Sequence, residues 1–203
     1  MAQMIRGTDI TLYTASGTET VSNVLIGEPT VSPQGYTVAL PKGDAHNWSD
    51  RKIGFWGALW RTVGDVTQGI EENIPLCWNR KIRVQRLVTN GAVTVYEADS
   101  FARHVFPEVL IRDLRGQTVQ KSGEQLAGSL TVRIYSVCAG DGYVPKQGDL
   151  LIPAACGLTF DTSSEQTVSQ CMAVLRQTAD IAAVRQTSAE TVGTLPDIII
   201  EAR

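Results

Sequence analysis

The chain is poor in the side chains that most often carry chemistry. Its 203 residues include two histidines, His46 and His104, in separate segments. A zinc site draws on three or four protein ligands, so this supply is thin. The four cysteines, Cys77, Cys138, Cys156 and Cys171, form no C-x-x-C pair. That spacing excludes the common zinc and redox motifs. The cysteines are expected to be small buried apolar side chains in a reducing compartment. No G-x-S-x-G elbow occurs, and the glycines of "GTDITLYTASGTET" precede a strand instead of linking a strand to a helix. Charge of one sign is lacking too. Lys and Arg number 18 and Asp and Glu 21, a net charge of −3, unlike the basic balance of a dedicated nucleic-acid binder. The longest apolar run, "IGFWGALW", is far too short to span a bilayer, so no membrane partner is expected. "MAQMIRGTDITLYTASG" has no apolar core of a secretory signal, and the chain is expected to be cytosolic when made. The expectation is no catalytic residue set, no metal and no cofactor.

What is there is alternation. "DITLYTA" places Ile10, Leu12 and Thr14 on one face, and "TVSNVLIGEP" carries Val21, Val24 and Ile26. "GYTVALP" alternates Tyr36, Val38 and Leu40, and "RKIRVQRLV" sets Ile82 and Val84 against Lys81, Arg83 and Gln85. Period two with Gly, Pro, Asn and Ser punctuation predicts half-buried antiparallel strands. Many short strands of this kind predict a small barrel or sandwich. Later strands are expected in "AVTVYEADS", "PEVLIRDL", "GSLTVRIYSV", "GDLLIPAACGLTF", "AAVRQT" and "LPDIIIEAR". One helix is expected over about 164–178, with Ser163 as N-cap and Gln166 completing a capping box. Val168, Cys171, Met172 and Leu175 then form its apolar stripe.

The halves repeat one another. "ITLYTA" (10–15) matches "VTVYEA" (93–98), and "NVLIGE" (23–28) matches "EVLIRD" (108–113). "GYTVALP" (35–41) falls in order against "GSLTVRI" (128–134). The fold class expected is therefore mainly β, as two tandem small β-barrel-like units with one α-helix in the second. The units are 1–90 and 91–203, divided in "LVTNGAV", where Asn90-Gly91 is a turn signal.

"PKGDAHNWSDRK" (41–52) gathers Asp44, His46, Asp50, Arg51 and Lys52. Carboxylates beside a histidine are what acid–base chemistry uses. They also make polar turns, because Asp and Asn side chains bond nearby backbone N–H groups. With a single histidine in the segment, a structural turn is the expectation. Arg80, Lys81, Arg83 and Arg86 cluster in "NRKIRVQR", either as a face toward DNA phosphates or as a solvated strand face. Trp48, Trp56, Trp60 and Trp78 are the interaction candidates, since tryptophan is enriched at binding hot spots and equally able to fill a core. Read as one strand, "GFWGALW" sets Phe55 opposite Trp56, Ala58 and Trp60, with Trp56 and Trp60 sharing a surface. The long segment 64–79 is a second interface candidate.

At these residues the sequence resembles a family. "NVLIGEPT", "YTVALPKGDAHNWSDRKIGFWG" and "RTVGDVTQGIEENIPLCWNRKIRV" are similar to minor capsid proteins of tailed phages and prophages of Gram-positive bacteria, over residues 1 to about 90. The family pattern runs P-K-G-D-x-H-x-W, then D-x-x-[VI]-x-F, R-T-x-G and I-P-L-x-W-N-[RK]-[KR]. A looser likeness is to head-closure (stopper) barrels, which form rings under the portal in the virion neck. "YVPKQGDLLIPAACGLTFDTSSEQTVSQCMAVL" resembles a second small phage neck protein, although "PDIIIEAR" lacks that family's aromatic final strand. The resemblance implies a virion structural protein of the head–tail connection. It implies a homo-oligomeric ring meeting portal or adaptor and tail proteins, with non-specific contact to packaged DNA as a further candidate. It implies a place in the virion neck, after assembly in the host cytoplasm, and no catalytic role. A tail-completion protein or a phage accessory enzyme are the alternatives.

Overall fold

A computed structural model describes residues 7–30, 35–68, 77–113, 130–159, 170, 173, 179–187 and 195–203. The protein is mainly β. Six strands build the first half: β1 (Thr8–Thr14), β2 (Gly17–Thr30), β3 (Gly35–Leu40), β4 (Lys52–Phe55), β5 (Ala58–Gln68) and β6 (Arg80–Arg86). Six build the second: β7 (Gly91–Tyr96), β8 (Arg103–Asp113), β9 (Leu130–Ile134), β10 (Leu150–Ile152), β11 (Ala179–Gln186) and β12 (Ile198–Ala202). Each set closes on itself as an antiparallel barrel, in the order β1-β2-β3-β6-β5-β4 and β7-β8-β9-β12-β11-β10. Closure removes the unpaired edge that would invite further strands. The main division into two compact units falls between Leu87 and Val88, inside "LVTNGAV", with Leu195 grouped with the first unit.

The two orders are one order. Counting strands from the start of each barrel, the second repeats the first without exception. The registers repeat as well. Thr8 pairs with Val24 and Ile10 with Val21, with a bulge between Thr8 and Ile10. Gly91 pairs with Val109 and Val93 with Phe106, with a bulge at the same step. Thr11 and Leu12 face Gly54 and Ile53, as Thr94 and Val95 face Ile152 and Leu151. Bulges are specific features of a strand pair, so sharing one is a stronger sign of common architecture than strand count alone.

This correspondence corrects the third repeat by one residue. Ile26 pairs with Val38, and Ile111 with Val132. "YTVAL" (36–40) therefore matches "LTVRI" (130–134), not the alignment that set Gly35 against Gly128. A slip of one residue would exchange the inner and outer faces, and the buried positions forbid it. In the true register Val38 and Val132 are both buried, as are Leu40 and Ile134. The two cores follow suit. Ile10, Leu12, Val21, Val24 and Ile53 in the first barrel correspond to Val93, Val95, Phe106, Val109 and Leu151 in the second, all buried.

The expected helix over about 164–178 lies outside the described residues, except Gln170 and Ala173, which are helical. Among the cysteines, Cys138 is buried and Cys156 half-buried, but Cys77 is exposed, against expectation. Cys171 lies outside the described residues.

The aromatic segment is not one strand. Trp56 and Gly57 form a two-residue turn between β4 and β5, with φ of +50° and +67°. Positive φ at both central residues is the tight-hairpin pattern whose twist suits antiparallel strands. The turn folds Phe55 and Trp60 back to back inside the barrel, their rings stacked at 4.7 Å and 9°. Trp56 alone is turned out, 61% exposed. The surface expected to join Trp56 and Trp60 therefore does not form. Trp48, Trp60 and Trp78 are buried.

Candidate functional site

The polar segment after β3 begins with a turn. Asp44 N–H donates to the Pro41 carbonyl at 3.1 Å, and Gly43 supplies the required positive φ of +90°. The turn drives the Asp44 side chain inward, where 2% of it remains exposed. There it accepts from the Trp48 indole N–H at 2.6 Å and from His46 Nδ1. Arg80 donates to the Asp44 carbonyl and lies 3.5 Å from its Oδ2. His46 Nε2 lies 3.1 Å from Glu19 on β2. Both ring nitrogens thus face carboxylate oxygens, and the hydrogen bond to Asp44 chiefly holds the His46 pKa above its ordinary value. Asp44, His46, Trp48 and Arg51 of this segment are all bonded within the barrel. The arrangement fastens a loop to a strand and traps Trp48 beneath it.

His104 on β8 is the other histidine, and it does the same job with the charges exchanged. Its Nδ1 lies 2.8 Å from Asp141 in the loop after β9, and its Nε2 3.1 Å from Glu97. Its ring stacks on Tyr143 at 3.8 Å. Leu12 pairs with Glu19 and Val95 with His104. Since Leu12 corresponds to Val95, Glu19 and His104 occupy the same place in their barrels. In the first barrel the strand offers the carboxylate and the loop the histidine; in the second the strand offers the histidine and the loop the carboxylate. Tyr143 in turn donates to the buried Asp149 at 2.7 Å, and burial with that bond pushes the phenol pKa up. Hydrogen bonds from Ser100 and then His104 lower the pKa of Glu97, and His104 lowers that of Asp141.

These directions predict a pH response. A raised His46 pKa means that the folded state holds a proton the unfolded state releases above about 6.5. This stabilisation is complete below that pH and is lost as pH rises through the folded value. Glu97 and Asp141 act oppositely. Their contribution is present above the ordinary carboxylate range and is lost as pH falls through their lowered values. Thermal melts should show the first barrel weakening from pH 6 to 9 by no more than a few degrees, since the pair is partly solvated and screened. His46→Gln should flatten that slope, and an unchanged slope in the variant would refute the assignment.

The four basic candidates sit in different surroundings. Arg80 is tied to Asp44. Lys81 is half-buried and already has an interaction partner. Arg83 and Arg86 are exposed. Of segment 64–79, residues 64–68 continue β5, 77–79 lead into β6, and 69–76 lie outside the described residues. Among the described residues no three of His, Cys, Asp and Glu converge as a metal site would need, and no helix is long and apolar enough to cross a membrane.

Trp56 remains as the outstanding surface residue. Its ring centroid lies 5.5 Å from that of Tyr36 and 5.4 Å from that of Phe55, both in T-shaped geometry. A left-handed conformation costs a bulky side chain roughly 1–2 kcal/mol, which Asn or Gly in this turn would largely avoid. An exposed tryptophan held at such a cost is a candidate contact residue. The one sequence signal was Gly57, a residue suited to positive φ, hidden in an aromatic run. Comparison with protein-family models, curated proteins and solved structures finds no match to this chain.

Proposed function

We propose that this chain is a structural protein of a phage or prophage virion, a subunit of the head–tail connection that works by binding other virion proteins. The resemblance of residues 1 to about 90 to minor capsid proteins supports the setting. The observation that carries the binding role is Trp56: exposed, held at positive φ, and backed by Tyr36 and Phe55. A rigid aromatic on a closed barrel loses little conformational freedom when covered, and truncating such an anchor costs about 2 kcal/mol or more of binding. In a ring each subunit must present two different matching patches, and the β4–β5 hairpin is one of them. Partners are neighbouring copies and the portal, adaptor or tail proteins; no reaction, metal or cofactor is assigned.

The test is complementation of a phage or prophage that lacks the gene. The deletion is expected to yield DNA-filled heads without tails. Trp56→Asn should reproduce that loss while the purified subunit keeps a melting temperature at or above the parent's, because Asn suits the turn. Normal infectious particles from the deletion would sink the neck assignment, and complete heads with malformed tails would move the protein to tail completion. Normal particles from Trp56→Asn would remove the hairpin from the interface.

A further inference from the structure

The outer face of the second barrel carries a cleft of about 140 Å³ that the first barrel does not match in chemistry. Leu110, Arg112, Thr131, Arg133, Arg185 and Ile199 line it. Strand pairing explains the convergence. Arg112 lies opposite Thr131, Leu110 opposite Arg133, and Ile199 between Arg133 and Arg185. Leu110 and Ile199 make an apolar floor with three guanidinium groups around it. Arg133 is held in place from beneath. Its Nε and Nη2 donate to Asp197 Oδ2 at 2.8 and 2.5 Å, and Asp197 is fully buried. Arg112 is exposed and makes no ion pair among the described residues. Arg185 approaches Glu201 at 3.6 Å with both side chains largely in solvent, a contact that water and salt screen.

The shared strand order does not require arginine at these positions, although in this barrel Arg133 also serves the buried Asp197. The same outward positions in the first barrel are Gly27, Ala39 and Thr67, where the second has Arg112, Arg133 and Arg185. The two barrels share order and register, so the architecture does not account for Arg112 and Arg185, whose side chains are exposed.

We infer that this cleft binds a short acidic and apolar segment of a partner protein, with a carboxylate seated among Arg112, Arg133 and Arg185 and an aliphatic side chain on Leu110 and Ile199. Charge complementarity sets the sign of the occupant, and guanidinium groups bond carboxylates in forked, charge-assisted pairs. The apolar floor and the surrounding charge favour a peptide over nucleic acid. Residues 88–203 hold 13 carboxylate residues against 9 Lys and Arg. That surplus repels a polyanion over its whole length, whereas a short segment meets the cleft alone. The inference does not depend on the virion assignment.

The experiment uses the full chain and calorimetric titration with two capped peptides, one alternating Leu and Glu and one alternating Leu and Gln, beside single-stranded oligothymidine. The Leu/Glu peptide should bind at least tenfold more tightly than the Leu/Gln peptide, and more weakly as salt rises. The double variant Arg112→Gln with Arg185→Gln should lose that preference and keep the parental denaturation midpoint, because both side chains are exposed. Arg133 is left in place, since removing it would strand Asp197. Equal binding of the two peptides, no binding at millimolar concentration, or an unchanged preference in the variant would overturn the inference. Tighter binding of oligothymidine, lost in the variant, would overturn it in favour of nucleic acid.

Discussion

Arg133→Met is expected to destabilise the second barrel by roughly 3–5 kcal/mol, the cost of leaving a buried charge without its partner. Asp197 is the reason. Its side chain has no solvent exposure, so ionised it depends wholly on the groups around it. Arg133 supplies two N–H donors to one oxygen, and Ser136 N–H donates to the other at 3.1 Å. The Asp197 backbone is fastened on both sides to Thr187, at 2.9 Å each way, so it cannot swing out to water. Adding Asp197→Asn to Arg133→Met should recover much of the loss. The first barrel supports this, because it holds Ala39 and Asn79 at the corresponding positions and still closes. Urea denaturation of the two single variants and the double variant would measure the coupling. If the double variant is as unstable as Arg133→Met alone, the stranded charge is not the cause.

Asp44→Ala is expected to cost the first barrel about 3 kcal/mol or more, on the scale of losing several hydrogen bonds to one buried charged group. The carboxylate is the common acceptor for Trp48, His46 and Arg80. Trp48 is 1% exposed, so without Asp44 its indole N–H is left buried and unsatisfied. Asp44→Asn keeps an acceptor for that N–H but loses the charge that His46 and Arg80 face, and should cost about half as much. In the second barrel Asp141→Ala should cost far less, because Asp141 is half-exposed at 51%. Tryptophan fluorescence would report the release of Trp48 alongside the unfolding midpoint. A loss at Asp141 equal to that at Asp44 would show that burial does not set the difference.

At residues 41–52 the structure shows His46 held between Asp44 and Glu19. Asp44 was legible as a turn residue from its type, whereas Trp48 was an interaction candidate and only its burial assigns it to the core. Glu19 was not legible, because it is far away in sequence and reaches His46 only once β2 lies beside the loop. The same holds for His104 and Asp141. The exchange of charge between the two pins could not be seen until register set Glu19 and His104 at one position. The arginine cleft was missed for a like reason. Arg112, Arg133 and Arg185 are single charges on separate strands, whereas the contiguous "NRKIRVQR" drew notice and proved divided among different surroundings.

The sequence by itself determined the strand character, the inward set of Ile10, Leu12, Val38, Ile82 and Val84, and the repetition of the first two strand segments in the second half. Alternation with period two is a local property, and burial acts on it residue by residue. Only the tertiary structure decided that each half closes into a ring in the same strand order, that Trp56 and Gly57 break an aromatic run into a hairpin, and that the third repeat is shifted by one. Those are matters of register and of turn geometry. They depend on which strand lies beside which, and a period-two pattern is compatible with more than one such pairing until the barrel closes.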